Sequence, residues 1–157
     1  MLGLQFGKKR GEGASGLNLL FLGAHCDDIE IGCGGTILRL IEEYSISHIK
    51  WVVFCSNSVR EAEARNCAEA FLKGVPSKEI IIRDFKDGFL SQQYSDVKNF
   101  FESLKNGVSP DIIFTHYQRD LHQDHRLLST LSSPRTTKNG GLPRSPSYFG
   151  ISYSRMK

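Results

Sequence analysis

The chain has 157 residues, of which 39% are hydrophobic and 24% are charged. This length supports one domain with one hydrophobic core and excludes two large domains. The longest apolar run near the start, residues 17–22, is far shorter than the roughly 20 residues that cross a bilayer, and no secretory signal is visible. We therefore expect a cytoplasmic protein without a membrane span.

The net charge of +3 is unevenly distributed along the chain. Residues 17–131 contain 12 Lys and Arg against 16 Asp and Glu, whereas the flanking segments hold 8 basic residues and a single acid. Because the basic residues form no stripe, we expect no nucleic-acid partner. The four cysteines form no CxxC pair, so we expect neither disulfides nor a closed structural zinc site, and we interpret Cys55 and Cys67 as small apolar fillers.

From residue 17 onward, short apolar runs alternate with segments of helical periodicity. The apolar runs predict buried strands at residues 17–23, 48–55, 79–83 and 111–115. The periodic segments predict helices at about residues 30–45, 61–73, 96–105 and 124–131. This alternation predicts an α/β fold, a Rossmann-like three-layer sandwich with a mostly parallel sheet. A strand order of 3-2-1-4 would place the first and fourth strands side by side.

The composition also predicts three segments along the chain. Residues 1–16 are rich in Gly and Lys and are predicted to be a flexible leader, followed by the folded domain at residues 17–131. Residues 132–157 are rich in Ser, Pro and basic residues, which predicts an irregular basic tail. Within this tail, only Tyr148-Phe149 or Ile151 to Tyr153 offer apolar side chains for docking on the domain.

Two polar clusters follow the first and fourth predicted strands, at residues 23–30 and 116–126, and together they hold four of the five histidines. Ligands of open α/β sheets bind at the carboxyl ends of the strands, so we expect the two clusters to face each other. Two imidazoles and one carboxylate form a three-ligand set with an open position, as in catalytic zinc sites. The alternative is that Asp27 and Asp28 only cap the following helix and the histidines lie on the surface.

A glycine-rich segment, Ile31-Gly32-Cys33-Gly34-Gly35-Thr36, follows the first cluster. It could cradle a phosphate at a helix start, but it lacks the GxGxxG spacing and follows two acidic residues that would repel a pyrophosphate. We therefore favour a packing role, in which the glycines let the helix start lie close under the first cluster.

The residues of both clusters resemble the signatures of a known family. Ala24-His25-Cys26-Asp27-Asp28-Ile29-Glu30, with Gly34-Gly35-Thr36 behind it, resembles the AHPDDE…GGT signature of the PIG-L/LmbE deacetylases. His122-Gln123-Asp124-His125-Arg126 resembles the second signature of that family, HxDHR. The resemblance covers roughly residues 17–131. It implies a zinc-dependent hydrolase (an N-deacetylase) that removes an acetyl group from an N-acetylglucosamine-type small molecule or glycoconjugate by means of a zinc-activated water.

The resemblance also implies a metal centre and its catalytic groups. By this likeness, His25, Asp28 and His125 bind one Zn²⁺ per chain, and Asp27 is the general base. His122 matches a residue that stabilises the oxyanion or protonates the leaving amine.

Three further residues are carried over from the same likeness. Asp124 would orient a neighbouring imidazole. Arg60, in an RxxE segment, and Asp87, in an Asp-Gly loop, would bind the substrate. The alternative for Arg60 and Asp87 is a solvated helix start and a surface turn.

The sequence departs from the family pattern at two places. Cys26 stands where the signature has proline; we do not expect it to ligate the metal, because consecutive ligands in a tight turn rarely point at one ion. After Arg126 the family continues with further α/β structure, whereas this chain has a short basic segment. We therefore expect an incomplete family domain whose activity is compromised.

Two other functions remain open from the sequence. A phosphoesterase would use two metal ions and more carboxylates than these clusters offer. A non-catalytic module with the same fold would bind a sugar or a nucleotide at an impaired site.

Overall fold

The computed structural model describes residues 16–107, 109–132 and 147–151. Strands and helices alternate in the order β1 (Leu17–Gly23), α1 (Asp28–Glu43), β2 (Ile46–Cys55), α2 (Ser58–Phe71), β3 (Lys78–Phe85), α3 (Tyr94–Ser103), β4 (Ile112–His116), α4 (Gln123–Ser132) and β5 (Ser147–Ile151). Every predicted element is present, but each helix begins one to three residues earlier than predicted. At α2 the reason is visible, because the Asn57 side chain accepts the backbone N–H groups of Val59 and Arg60 and starts the helix in a polar segment.

The sheet has five parallel strands in the order β3-β2-β1-β4-β5. The predicted order 3-2-1-4 and the Rossmann-like α/β class are confirmed. β1 lies at the centre, where Phe21 pairs with Trp51 of β2 on one side and with Phe114 of β4 on the other. This arrangement brings the carboxyl ends of β1 and β4 together, as the position of the two polar clusters requires.

The fifth strand differs from the sequence prediction. Residues 147–151 lie within the segment predicted to be an irregular tail, yet they pair in parallel with residues 112–116 of β4. The pairing supplies the hydrogen bonds of an edge that β4 would otherwise expose. The predicted leader at residues 1–15, and the tail residues 133–146 and 152–157, lie outside the described residues.

The core consists of two apolar layers, one on each face of the sheet. Alternate residues of β1 separate them: Leu19 and Phe21 pack towards α1 and α2, whereas Leu20 and Leu22 pack towards α3 and α4. The sheet is therefore covered on both faces, which is the predicted three-layer sandwich. No helix of the described residues is long and apolar enough to cross a membrane.

The glycine-rich segment lies inside α1 and has a packing role at one position. A Cβ on Gly34 would lie 2.9 Å from the ring of Phe71 in α2, whereas a Cβ on Gly35 would meet nothing within 4 Å. Gly34 therefore allows α1 to pack against α2, rather than under the first polar cluster as expected. The close approach to that cluster occurs at Gly23, where a Cβ would lie 3.0 Å from Ile29 and 3.3 Å from Asp28.

Candidate active site

A cleft of about 770 Å³ opens at the carboxyl edge of the sheet. Seven of the eight site residues predicted from the sequence line it, and the eighth, Asp124, is fully buried beside it. The lining residues are His25, Asp27, Asp28, Arg60, Asp87, Tyr117, Arg119, Asp120, Leu121, His122 and His125. The two polar clusters therefore face each other, because the strands that they follow are neighbours.

Three side chains converge at the centre of the cleft. Nδ1 of His25 lies 3.4 Å from Oδ2 of Asp28 and 3.2 Å from Nε2 of His125, and the same Nε2 lies 3.4 Å from Oδ1 of Asp28. Ligands of a tetrahedral ion with bonds of 2.0–2.1 Å lie about 3.3 Å from one another. The spacing of the two ring nitrogens and the Asp28 carboxylate therefore fits a small divalent cation.

The outer nitrogens of both rings face carboxylates. Nε2 of His25 lies 3.0 Å from Oδ1 of Asp87 and 3.7 Å from Oδ2 of Asp124. Nδ1 of His125 lies 3.2 Å from Oδ2 of Asp120. These outer carboxylates favour the tautomers that carry the ring proton on the outer nitrogens, which would leave the inner lone pairs for an ion. Without a metal, the contact between the two inner nitrogens needs a proton on one of them. Two imidazoles and a carboxylate that converge in this way are a donor set suited to a metal ion.

The carboxylate at the centre raises the basicity of the rings around it. Burial by itself lowers the pKa of His25, but its hydrogen bond to Asp28 and the charges of nearby carboxylates raise that pKa above its usual value. The pKa of His125 is raised in the same way, by Asp28 and Asp120 against the effect of burial. Burial alone would raise the pKa of Asp28, yet its contacts with three imidazoles hold that pKa well below its usual range. The centre therefore attracts positive charge, whether protons or a metal ion.

Besides His25 with Asp28 and His125, three other groups of side chains within the described residues have donor atoms close enough together to share an ion. They are His25 with His122 and His125, Asp28 with His116 and His125, and His25 with Cys55 and Asp124. Each group includes at least one of the ligands implied by the resemblance, and the other members can be judged from their own hydrogen bonds.

His122 and His116 both have a nitrogen occupied by the backbone. Nδ1 of His122 accepts the N–H of Asp124 at 3.3 Å, which leaves the proton of the neutral ring on Nε2. Nε2 of His116 accepts the N–H of Ala24 at 2.9 Å, so its lone pair is already engaged. Neither ring has a lone pair to give to an ion unless it breaks its backbone hydrogen bond.

Cys55 is a buried thiol beside the site. Burial and the charges of neighbouring carboxylates raise the pKa of Cys55 far above its usual value. The thiolate is the form that binds metal, so an ion at the group that includes Cys55 would have to displace the thiol proton.

The thiol of Cys26 points away from the centre. Its Sγ lies 3.3 Å from Oγ of Ser56 and 3.6 Å from the carbonyl oxygen of Cys55, at the end of β2.

Asp27 occupies the N-cap position of α1 without a capping hydrogen bond, and its exposed side chain lines the cleft. The alternative that Asp27 merely caps the helix is therefore not supported.

Arg60 and Asp87 reach the same cleft from the other two strands. Arg60 lies in the first turn of α2, and Asp87 lies in the loop after β3. That loop is fixed to α4, because the N–H of Gly88 donates to Oδ2 of Asp124 at 2.7 Å. Asp87 contacts His25 directly, so it faces a candidate metal ligand as well as the open cleft.

Sequence reasoning missed the roles of two residues in the second cluster. His116 is 1% exposed, and its ring stacks on His125 with centroids 3.8 Å apart. Asp120 faces His125 and also accepts the backbone N–H of His122 at 2.8 Å. Only the Asp-x-His spacing of Asp120 and His122, typical of a local side-chain turn, could have signalled one of these contacts.

Comparison with known proteins shows the family of this chain. The family model described as "PIG-L: GlcNAc-PI de-N-acetylase" matches residues 20–133, which is well over half of the chain. The chain belongs to the PIG-L family. The "Uncharacterized deacetylase YaiS" of Escherichia coli (strain K12) is 32% identical over 118 residues, which are 68% of this chain and 61% of that protein.

Two solved structures share the fold of this PIG-L family member. The conserved protein TT1542 from Thermus thermophilus is 26% identical with a TM-score of 0.52, and the match covers 74% of this chain and 53% of that one. The N,N'-diacetylchitobiose deacetylase from Pyrococcus horikoshii, solved with its inhibitor MPG, is 21% identical with a TM-score of 0.52, over 74% of this chain and 48% of that one. The chain thus spans about half to three fifths of the length of these relatives.

Proposed function

We propose that this chain carries the catalytic centre of a zinc-dependent N-deacetylase, which hydrolyses the acetamido group of an N-acetylglucosamine-type sugar or glycoconjugate. The observation that carries the proposal is the mutual approach of His25, Asp28 and His125, whose ring nitrogens and carboxylate oxygens lie 3.2–3.4 Å from one another. Membership of the PIG-L family and the deacetylases among its relatives support the reaction class.

His25, Asp28 and His125 would hold one Zn²⁺ per chain. Two neutral imidazoles and one carboxylate suit zinc, which keeps an open coordination position in catalytic sites of this kind. Zinc bound there would polarise the acetyl carbonyl and lower the pKa of a water molecule. Asp87, Asp124 and Asp120 would favour the tautomer of each ring that offers a lone pair to the ion.

Asp27 would act as the general base. Asp27 precedes Asp28 in the chain, and its carboxylate lines the cleft but is exposed rather than buried. It can therefore take a proton from water without being a ligand.

His122 would assist from the other side of the centre. Because its Nδ1 accepts the N–H of Asp124, its Nε2–H is available to donate to the carbonyl oxygen as negative charge develops there.

The overall reaction conserves atoms without a further reagent. Water supplies a hydroxyl group to the acetyl carbon, the amide C–N bond breaks, and the nitrogen receives a proton to leave as an amine. The products are acetate and the free amino sugar. Arg60 and Asp87 line the cleft and would bind hydroxyl groups of the sugar.

Acetate release from a panel of N-acetylated sugars and glycosides, measured with and without a chelator, tests the proposal. We expect release that chelation abolishes and zinc restores. A protein that binds zinc but releases no acetate from any member of the panel would instead support the sugar- or nucleotide-binding module. Two metal ions per chain with hydrolysis of phosphate esters would support the phosphoesterase.

The cytoplasmic location, with a small-molecule partner and no nucleic acid, stays a prediction within this proposal.

A further inference from the structure

His116 connects the two halves of the candidate centre, although it does not line the cleft. The parallel pairing of β1 with β4 runs from Leu19 with Ile112 to Phe21 with Phe114 and is not continued beyond that pair. Beyond this pair, the imidazole of His116 links the two strands, because its Nε2 accepts the N–H of Ala24 at 2.9 Å. One side chain thus sets the separation of the two strands where the cleft begins.

Ala24 is held on both sides. Its carbonyl oxygen accepts the N–H of Cys55 from β2 at 2.7 Å, while its own N–H donates to His116 of β4. Ala24 directly precedes His25, so the backbone that carries one candidate ligand is fixed to the strand that leads to the other. The position of His25 relative to His125 therefore depends on the length and direction of the His116 side chain.

The ring of His116 also contacts the remaining two candidate ligands. It stacks on His125 with centroids 3.8 Å apart and planes 11° from parallel, and its Nε2 lies 3.2 Å from Oδ2 of Asp28. Its Nδ1 is buried and has no hydrogen-bond partner among the residues that the structure describes. A buried polar atom without a partner costs stability, so packing alone does not explain a histidine here.

We propose that His116 is a positioning residue of the metal centre: its Nε2 fixes Ala24 and its ring supports His125, so that His25, Asp28 and His125 are held at metal-binding distance. This inference rests on the proposed metal centre. It assigns His116 no bond to the ion, since its inward lone pair is occupied by the backbone of Ala24.

Two amide substitutions separate positioning from a merely structural role. The side-chain oxygen of His116→Gln can reach the place of Nε2 and accept the N–H of Ala24, whereas that of His116→Asn is one carbon shorter and cannot. Zinc affinity is measured by competition with a chromophoric chelator, together with the cobalt(II) absorption spectrum and the urea unfolding of the metal-free chain.

We expect His116→Asn to weaken zinc binding by about tenfold to 100-fold and to change the cobalt spectrum, and His116→Gln to stay within about threefold of the unaltered chain. Equal zinc affinity of the two variants would overturn the inference, whether both match the unaltered chain or both fall together. The inference would also be overturned if the loss of zinc affinity in His116→Asn were fully accounted for by a loss of stability of the metal-free chain. An unaltered chain that binds no zinc would overturn the proposed metal centre and this inference with it.

A measurement on the unaltered chain covers the case in which neither variant folds. In protein labelled with ¹⁵N-histidine and loaded with ¹¹³Cd²⁺, we expect cadmium–nitrogen couplings to His25 and His125, and an unprotonated, uncoupled Nε2 at His116. A coupling from cadmium to His116 would make it a ligand and would overturn the inference.

Discussion

Nε2 of His125 lies 3.2 Å from Nδ1 of His25, although the two residues are 100 positions apart in the chain. Two ring nitrogens at this distance repel each other unless a proton or a metal ion lies between them. The contact exists because β1 and β4 are neighbours in the sheet and both loops leave its carboxyl edge. The catalytic proposal therefore follows from strand order as much as from the histidines themselves.

Asp27→Asn should separate turnover from metal binding. The amide keeps the size of the side chain but cannot take a proton, so we expect acetate release to fall by roughly 10²- to 10⁴-fold while zinc content stays at one per chain. Asp28→Asn is the matched comparison at the next position, and it should lose zinc. If both variants lost zinc equally, Asp27 would be a ligand or a structural residue and not the base.

Single alanine substitutions of the histidines should sort them by role. We expect His25→Ala and His125→Ala to lose zinc, and His122→Ala to retain zinc but lose activity, because Nδ1 of His122 is engaged by the backbone of Asp124. His48 is a suitable control, since its Nδ1 contacts Ser77 away from the cleft. Elemental analysis after gel filtration measures the zinc that each variant retains. Zinc loss in His122→Ala would place that residue among the ligands.

The stability of the metal-free chain should fall as pH rises from 6.5 to 8. The folded-state pKa values of His25 and His125 are raised above the ordinary value of about 6.5, so their contribution is fully present below that pH and is lost as pH rises through the raised values. His116, whose pKa burial lowers, acts in the opposite sense but only below pH 6.5.

Zinc should reverse this trend, because it competes with protons for the same two lone pairs. We expect the stabilisation by zinc to grow with pH over the same interval, measured as the shift of the urea midpoint between metal-free and zinc-loaded protein. A metal-free stability that rises from pH 6.5 to 8 would contradict the assigned contacts of His25 and His125 with Asp28.

Gly34 and Gly35 offer a test of the packing role. Gly35→Ala should raise the free energy of unfolding by roughly 0.5–1 kcal/mol, because alanine favours the helix and its Cβ meets nothing. Gly34→Ala adds the same propensity but places a Cβ 2.9 Å from the ring of Phe71, and we expect it to be less stable than Gly35→Ala by about 1–3 kcal/mol. Urea denaturation of the two variants makes the comparison, and equal stabilities would show that Phe71 moves aside without cost.

The strand order and the meeting of the two polar clusters could be predicted because alternating strands and helices indicate a Rossmann-like fold, whose strand order is regular. Apolar runs marked the strands, and residue type marked the two polar clusters, whereas the choice of His25, Asp28 and His125 as ligands was implied by the family resemblance. β5 was not predicted, because residues 147–151 gain their place by pairing with β4 rather than from a pattern of their own.

His116 shows where sequence reasoning stops. At the end of an apolar strand it could be a surface or a core histidine, and the difference lies in a hydrogen bond to Ala24, 92 positions earlier. Asp120 and Asp87 were visible as acids, but which imidazole each one faces depends on how the loops pack. The tautomer of each histidine, and the carboxylate that its outer ring nitrogen faces, are set only when the chain folds.

The most direct test of the account is a crystal of the unaltered protein grown with zinc, with anomalous data collected at the zinc edge. We predict one anomalous peak per chain at about 2.0–2.2 Å from Nδ1 of His25, a carboxylate oxygen of Asp28 and Nε2 of His125. A peak bonded to His116 or to Cys55 instead, or no peak at the end of β1 and β4, would contradict it.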